Sequence, residues 1–429
     1  MSRGGPLRYR ATPSTVSGTI RAPPSKSVTH RAIVLAALSG GPCMIRNPLY
    51  SDDTEATLAG VAMLGADVER DGGDLHISSR ALRAASQPVD ARNSGTTIRF
   101  LSGVASLLDG ATTLTGDTSI RRRPMGPLVE ALNALGARAR AFGADGRPPL
   151  EVHGVLRGGT ISLAGGVSSQ FLSSLLIASP LGRGPTEIHL VPPTRSEPYV
   201  AMTRSMMRAY GVDVDQHGDL FRVDGGQTYR PVDVEVPGDL SSAAFPLAAA
   251  ALTEGDVSVT GFAPEPPQGD HRIVDFLRAF GARVDEESDR VRVRAGSLIG
   301  QTVDVGANPD LFPILAVLAA HAEGETEFVG GDHLREKESD RIATTVSMLR
   351  ALGVPAKPTT GGCILHGPRQ IRSGFVDAQG DHRILMAAAV AGLAADGPVE
   401  ISDPGAFRVS YPSFLDDMRS LGADHSVIE

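Results

Sequence analysis

One hydrophobic–polar pattern recurs six times along the chain. A helical run ends in an apolar residue, a glycine and a small apolar residue: Leu64-Gly65-Ala66, Leu135-Gly136-Ala137, Tyr210-Gly211-Val212, Phe280-Gly281-Ala282, Leu352-Gly353-Val354 and Leu421-Gly422-Ala423. The spacing is roughly 70 residues, longer than ordinary solenoid periods. Glycine at that point predicts a left-handed residue closing a helix. The alternation that follows, as in Val291-Arg292-Val293-Arg294, predicts a strand with one buried face. Ahead of each glycine lies a second helix rich in small residues, then a turn and a strand, for example 241–252 followed by 256–259 and 310–322 followed by 326–329. Each unit therefore reads strand, helix, strand, helix, strand, strand.

Six such units predict an α/β protein of two similar domains, each of three repeated βαβαββ units. A single doubly wound sheet is the simpler alternative, but it leaves the even spacing of the glycines unexplained. The repeats put the first domain at 22–236 and the second at 237–429, with 1–21 as an extra strand segment completing the second. The chain then crosses between domains near Arg21-Ala22-Pro23 and near Val236-Pro237-Gly238, where proline and glycine suit hinges. The expected active site is the interdomain cleft, enclosed by closure.

Composition narrows the function. The 429 residues are 41% hydrophobic and 21% charged, as expected of a globular protein with buried cores. The longest apolar runs, around 245–252 and 384–395, fall short of the ~18 residues a membrane span needs, so no membrane partner is expected. A net charge of −8 argues against a surface that coats nucleic acid, so any anion site must be local. Cys43 and Cys363 supply neither a disulfide framework nor a zinc set. The N-terminus lacks the apolar core of a signal peptide. Together these point to a cytoplasmic protein needing no metal or cofactor, with a monomer as the default.

The candidate chemistry sits at predicted helix starts. Ser25-Lys26-Ser27-Val28-Thr29-His30-Arg31 places an ammonium, a guanidinium and hydroxyls where a helix presents unpaired N–H groups, a prepared anion site. Asn93-Ser94-Gly95-Thr96-Thr97-Ile98-Arg99 opens the matching helix of the second repeat, and Gly95 lets a ligand approach the backbone. In Arg121-Arg122-Arg123-Pro124, ahead of a helix over 125–135, Arg123 is the arginine expected to turn inward. Ser168-Ser169-Gln170 offers neutral donors at the third helix start, and Ser196-Glu197-Pro198-Tyr199 opens the helix after it. Asp310 is expected to open the helix of the fifth repeat, as an N-cap or as a carboxylate suited to general-base work. Lys337-Glu338-Ser339-Asp340-Arg341 is read as helical, with Lys337 and Arg341 on one face. Gly380-Asp381-His382-Arg383 precedes an apolar helix and is preferred as a site member over its near copy Gly269-Asp270-His271-Arg272.

Taken together, these motifs resemble those of the enolpyruvyl transferase family over nearly the whole length, on its branch acting on shikimate 3-phosphate. The resemblance implies an inside-out α/β barrel in each domain and two small-molecule partners, shikimate 3-phosphate and phosphoenolpyruvate. It implies that Lys26, Ser27, Arg31, Ser168, Ser169, Gln170, Ser196, Tyr199, Asp310 and Lys337 hold shikimate 3-phosphate. It likewise implies that Lys26, Asn93, Gly95, Arg123, Gln170, Arg341 and Arg383 hold phosphoenolpyruvate. Lys26, Glu338 and Asp310 are the expected catalytic residues, the first two for proton transfer and Asp310 near the attacking hydroxyl.

Two departures stand out. Val409 occupies the place where the family often has lysine, with Arg408 expected to face away in an extended segment, and His333 stands where many members have asparagine. The sister enzyme acting on UDP-N-acetylglucosamine uses a loop cysteine, which 117–124 lacks. An RNA-terminal phosphate cyclase would want a basic RNA face, and a passive phosphate-binding protein would not need acid–base groups among its cations.

Overall fold

The six glycines end six helices in the same way. In the computed structural model, which describes residues 7–166, 168–192, 196–266 and 268–429, their φ angles run from +78° to +103°. Ala66 N donates to Val61 O at 3.0 Å and Gly65 N to Ala62 O at 2.9 Å, and the same two bonds close the other five helices. This is the Schellman arrangement, in which a left-handed residue lets the chain satisfy the last free carbonyls. It also explains the residues around each glycine. The residue whose carbonyl accepts from the position after the glycine (Val61, Leu132, Met207, Leu277, Leu349 or Met418) and the small residue at that position are buried together in every copy.

The chain divides into two compact units. The first is Pro24–Pro237 together with Glu265–Gln268; the second combines the chain before Pro24 with Gly238–Pro264 and Gly269–Glu429. Among the described residues, each unit holds three four-stranded sheets of one topology. An edge strand pairs parallel with the strand after the inner helix, and an antiparallel hairpin completes the sheet. In the second repeat, Val89–Asp90 pairs parallel with Ala111–Thr115, which pairs with Leu150–His153, which pairs with Arg138–Ala141. The chain ends complete the pattern. Val234–Glu235 returns to pair parallel with Cys43–Arg46, closing the first unit's first sheet. Arg8–Thr12 lies between Val399–Ile401 and Asp424–Ile428, and Ser17–Arg21 pairs parallel with Asp256–Thr260. The N-terminal segment thus supplies strands to two sheets of the second unit.

Each unit is built around three inner helices: Lys26–Leu38, Gly95–Ala105 and Ser169–Ala178 in the first, Leu240–Leu252, Phe312–His321 and His382–Leu393 in the second. Nearly every residue in them is buried. A helix apolar all round needs neighbours on every side, and alanine, glycine and serine let those neighbours come close. Gly103 shows how close: a Cβ there would lie 2.8 Å from the backbone oxygen of Ser174 on the adjacent helix. Among the described residues, no helix is long and apolar enough to cross a membrane.

Three local expectations are corrected. Asp310 does not cap a helix: it sits in a 3-10 turn, Pro309–Leu311, and the helix starts at Phe312. Its carboxylate is engaged by guanidinium groups and is not available to the backbone. Lys337 and Arg341 do not share a helical face. Asp340 accepts from Ala343 N at 3.0 Å and caps the helix Arg341–Ala351, which leaves Lys337 in extended backbone after the 3-10 turn Asp332–Glu336; aspartate favours the cap over the helix interior. Arg408 and Val409 lie in a 3-10 turn, Ala406–Val409, and not in an extended strand.

Candidate active site

The two units cap their inner helices with opposite chemistry. In the first unit the N-caps are Ser25, Ser94 and Ser168, and the first turns carry no acidic residue. In the second unit Asp239 and Asp381 cap the first and third inner helices and Asp310 stands just ahead of the middle one. Neutral caps leave the positive ends of the first unit's helices open to an outside anion, whereas the second unit's helix starts carry their own carboxylates.

In the first unit, cations are braced around the helix starts. Lys26 Nζ lies 2.9 Å from Asp53 Oδ2, both largely buried. Arg31 is buried; its Nε donates to Thr203 Oγ1 at 2.8 Å, Nη1 to Ser27 O at 2.9 Å and Nη2 to Tyr199 O at 3.1 Å. Burial lowers its pKa to about 10, still charged at neutral pH. Arg99 donates to Gln170 Oε1, Gln170 Nε2 donates to Thr96 Oγ1 at 2.9 Å, and the Arg99 guanidinium lies over the Phe171 ring. Of the three adjacent arginines only Arg123 is buried; its Nη2 donates to Asn93 Oδ1 at 2.9 Å and Ser119 Oγ at 3.3 Å. Gly95 lies between these groups: a Cβ there would be 2.6 Å from Arg123 Nη1 and 3.2 Å from Arg99 Nη1. Ser168 spends its hydroxyl on the cap, accepting from Gln170 N at 3.2 Å, and Ser196 adopts a left-handed conformation before the helix Glu197–Ala209. Lys26, Ser27, Arg31, Asn93, Gly95, Arg123, Ser168, Ser169, Gln170, Ser196 and Tyr199 all belong to this unit.

In the second unit, three carboxylates surround one buried guanidinium. Arg341 Nη1 donates to Asp310 Oδ1 at 2.8 Å, Nη2 to Glu338 Oε2 at 2.6 Å, and Nε to Asp381 Oδ2 at 3.0 Å. Burial alone would lower the Arg341 pKa, but Asp381, Glu338 and Asp310 raise it above its ordinary value. Arg383 is buried as well; its Nη1 donates to Ser241 O at 2.9 Å and Nη2 to Asp310 Oδ2 at 3.3 Å. Burial works to raise the Asp310 pKa; Arg383, Arg341 and Lys337 overcome it and hold the carboxyl far below the usual range. Asp310 is therefore an anchored anion and a weak base in this state. Lys337 and Glu338 are half-buried beside it.

Sequence reasoning passed over several of these partners. Asp53 sits in the acidic first turn of the helix Asp52–Met63, where carboxylates ordinarily answer the helix dipole; nothing in the local pattern marks it as the partner of Lys26. Asp381 lay inside a motif valued for its arginine. Asp270, in the copy set aside, is buried, with His271 and Arg272 outside.

The family model for EPSP synthase (3-phosphoshikimate 1-carboxyvinyltransferase) matches residues 11–418. A 3-phosphoshikimate 1-carboxyvinyltransferase of Methanocorpusculum labreanum is 47% identical over 418 residues, 96% of this chain and 97% of that protein. One of Methanothrix thermoacetophila is 48% identical over 415 residues, again 96% and 97%. An EPSP synthase structure from Acinetobacter baumannii superposes with a TM-score of 0.82 at 30% identity, covering 99% of this chain and 100% of that one. By sequence and by fold, the chain belongs to the EPSP synthase family.

Proposed function

We propose that this chain transfers the enolpyruvyl group of phosphoenolpyruvate to the 5-hydroxyl of shikimate 3-phosphate and releases phosphate, as a step toward chorismate and the aromatic amino acids. Both clusters serve that one reaction. The observation that carries the reading is the division of charge between the units. The first gathers Lys26, Arg31, Arg99 and Arg123 around hydroxyl-capped helix starts; the second gathers Asp310, Glu338 and Asp381 around Arg341 and Arg383. Two phosphorylated carboxylates need the first set, because charge-assisted bonds contribute about 1.5–3 kcal/mol each. Acid–base chemistry on carbon needs the second.

The reaction is addition followed by elimination. The ring hydroxyl oxygen bonds to the enol carbon as a proton joins the methylene carbon. A proton then leaves the resulting methyl group as the C–O bond to phosphate breaks, which restores the double bond on the new ether. Lys26 and Glu338 carry these proton transfers. Asp310 accepts a hydrogen bond from the attacking hydroxyl; it takes the proton only as the substrates' anionic groups draw Arg341 and Arg383 away from it. Ser27, Arg31, Ser168, Ser169, Gln170, Ser196, Tyr199, Asp310 and Lys337 hold shikimate 3-phosphate. Asn93, Gly95, Arg123, Gln170, Arg341 and Arg383 hold phosphoenolpyruvate, and Lys26 reaches both. The enzyme works as a cytoplasmic monomer, a setting that suits two buried, unbridged cysteines. A UDP-N-acetylglucosamine enolpyruvyl transferase and an RNA-terminal phosphate cyclase are not favoured, because the relatives at 47–48% identity carry the 3-phosphoshikimate name.

Turnover of Lys26→Ala and Glu338→Gln tests the assignment. Each is expected to fold as the parent does and to lose at least about a hundredfold in kcat. Near-parental kcat in Glu338→Gln would remove Glu338 from the proton transfers, and in Lys26→Ala it would overturn the central role given to that residue.

A further inference from the structure

The two copies of the Gly-Asp-His-Arg motif both bury their aspartate and differ in the two residues after it. In Gly380–Arg383, Asp381 caps the helix His382–Leu393, and Asp381, His382 and Arg383 are all buried. In Gly269–Arg272, a 3-10 turn ahead of the helix Ile273–Phe280, His271 pairs with Glu286 at the surface, Arg272 lies over the Phe276 ring, and Asp270 is the buried member. The Asp270 carboxylate accepts from Ser241 Oγ and, at 3.1 Å, from Asn308 Nδ2; the same Asn308 amide donates to Gly269 O at 2.7 Å. Each donor leads to a proposed site residue. The backbone carbonyl of Ser241 receives Arg383 Nη1 at 2.9 Å, and Asn308 stands two residues before Asp310, at the entry to its 3-10 turn.

We propose that Asp270 is a positioning residue for the reaction: through Ser241 and Asn308 it sets the mutual placement of Arg383 and Asp310. This rests on the reading of Arg383 and Asp310 as site residues. One buried carboxylate braces both flanks of that pair, and no substrate contact is required of it. A loosely held guanidinium still carries its charge but presents it in the wrong place, and a displacement near 1 Å is worth about a hundredfold in rate. Asn at 270 keeps one acceptor oxygen but cannot receive both donors with full charge; Ala keeps neither.

Steady-state kinetics of Asp270→Asn, Asp270→Ala and Asn308→Ala, beside Arg383→Ala, test this. Binding of shikimate 3-phosphate alone, measured by calorimetry, reports chiefly on the eight holders assigned to the first unit, with Asp310 and Lys337 the two assigned to the second. The expected result is a graded loss of kcat/KM for phosphoenolpyruvate, about tenfold for Asp270→Asn and more for Asp270→Ala, with a smaller loss of binary shikimate 3-phosphate affinity, no more than about threefold, because Asp310 is one of its ten assigned holders and Arg383 is none. Parental kcat/KM in Asp270→Asn and Asn308→Ala, with Arg383→Ala impaired, overturns the positioning role and leaves the site reading intact. An unimpaired Arg383→Ala overturns the site reading itself. Loss of shikimate 3-phosphate affinity in step with kcat/KM marks Asp270 as a general fold element and also overturns the proposal. Should the Asp270 variants fail to fold, Ser241→Ala, which removes a single hydroxyl, decides on the same split.

Discussion

Arg341 Nε donates to Asp381 Oδ2 at 3.0 Å, and neither side chain reaches solvent. The pair ties the first residue of one helix to the N-cap of another, the helix that carries Arg383. Asp381 also accepts from Ser339 Oγ at 3.0 Å and from its own cap partner, Arg383 N, at 2.9 Å.

Removing that carboxylate leaves a buried cation short of a partner and a helix without its cap. Such losses cost about 3–5 kcal/mol, with Glu338 and Asp310 offsetting part of it. Asp381→Ala is therefore expected to lose about 3 kcal/mol in urea unfolding, and Asp381→Asn, which keeps a capping oxygen, less than half of that. A loss under about 1 kcal/mol for Asp381→Ala contradicts this account of the cluster.

Two glycines on one helix make opposite predictions. Glycine to alanine inside a helix ordinarily gains about 0.5–1 kcal/mol. At Gly103 the new methyl meets the Ser174 backbone at 2.8 Å, which cannot give way cheaply, so Gly103→Ala is expected to lose about 1–3 kcal/mol. At Gly95 the obstacle is the end of the Arg123 side chain, at 2.6 Å, which can swing. Gly95→Ala should keep the parental melting temperature while raising KM for phosphoenolpyruvate about tenfold. Calorimetry and steady-state kinetics on the two variants separate the effects; a destabilised Gly95→Ala with parental KM contradicts the placement of Arg123.

His425 sets a pH dependence unrelated to catalysis. Its Nδ1 meets the Tyr9 hydroxyl at 2.8 Å in the second unit's core, and burial pushes its pKa down to about 4. The native state keeps the ring neutral while the unfolded chain takes up a proton near its ordinary pKa of about 6.5. The unfolded state thus binds more protons between these values, so this contribution is complete above about 6.5 and is lost as pH falls toward 4. Its size is about 3 kcal/mol. Between pH 7 and 4.5, unfolding free energy should fall more steeply for the parent than for His425→Phe; equal slopes contradict the assignment.

The fold was largely legible because its strongest signals are local. A Schellman glycine dictates the residues on either side of it, so six copies announce six helix ends. Arg123 was separable from Arg121 and Arg122 because the proline after it limits where the chain turns. What stayed hidden depends on partners distant in sequence. Asp53 looks like any acidic first-turn residue until Lys26 is seen against it, 27 residues away. Asp270 and Asp381 are both buried in an identical tetrapeptide, and the copies differ in whether the histidine and arginine turn inward, as His382 and Arg383 do, or outward, as His271 and Arg272 do. Lys337 and Arg341 looked like a helical pair because charge spacing alone cannot show that Asp340 takes the cap.

The decisive measurement is phosphate release from phosphoenolpyruvate by the purified chain, with shikimate 3-phosphate as acceptor and UDP-N-acetylglucosamine in parallel. Acceptor-dependent release is expected with shikimate 3-phosphate and none above background with the nucleotide sugar. No release with shikimate 3-phosphate, or equal release with both, would contradict the proposed activity.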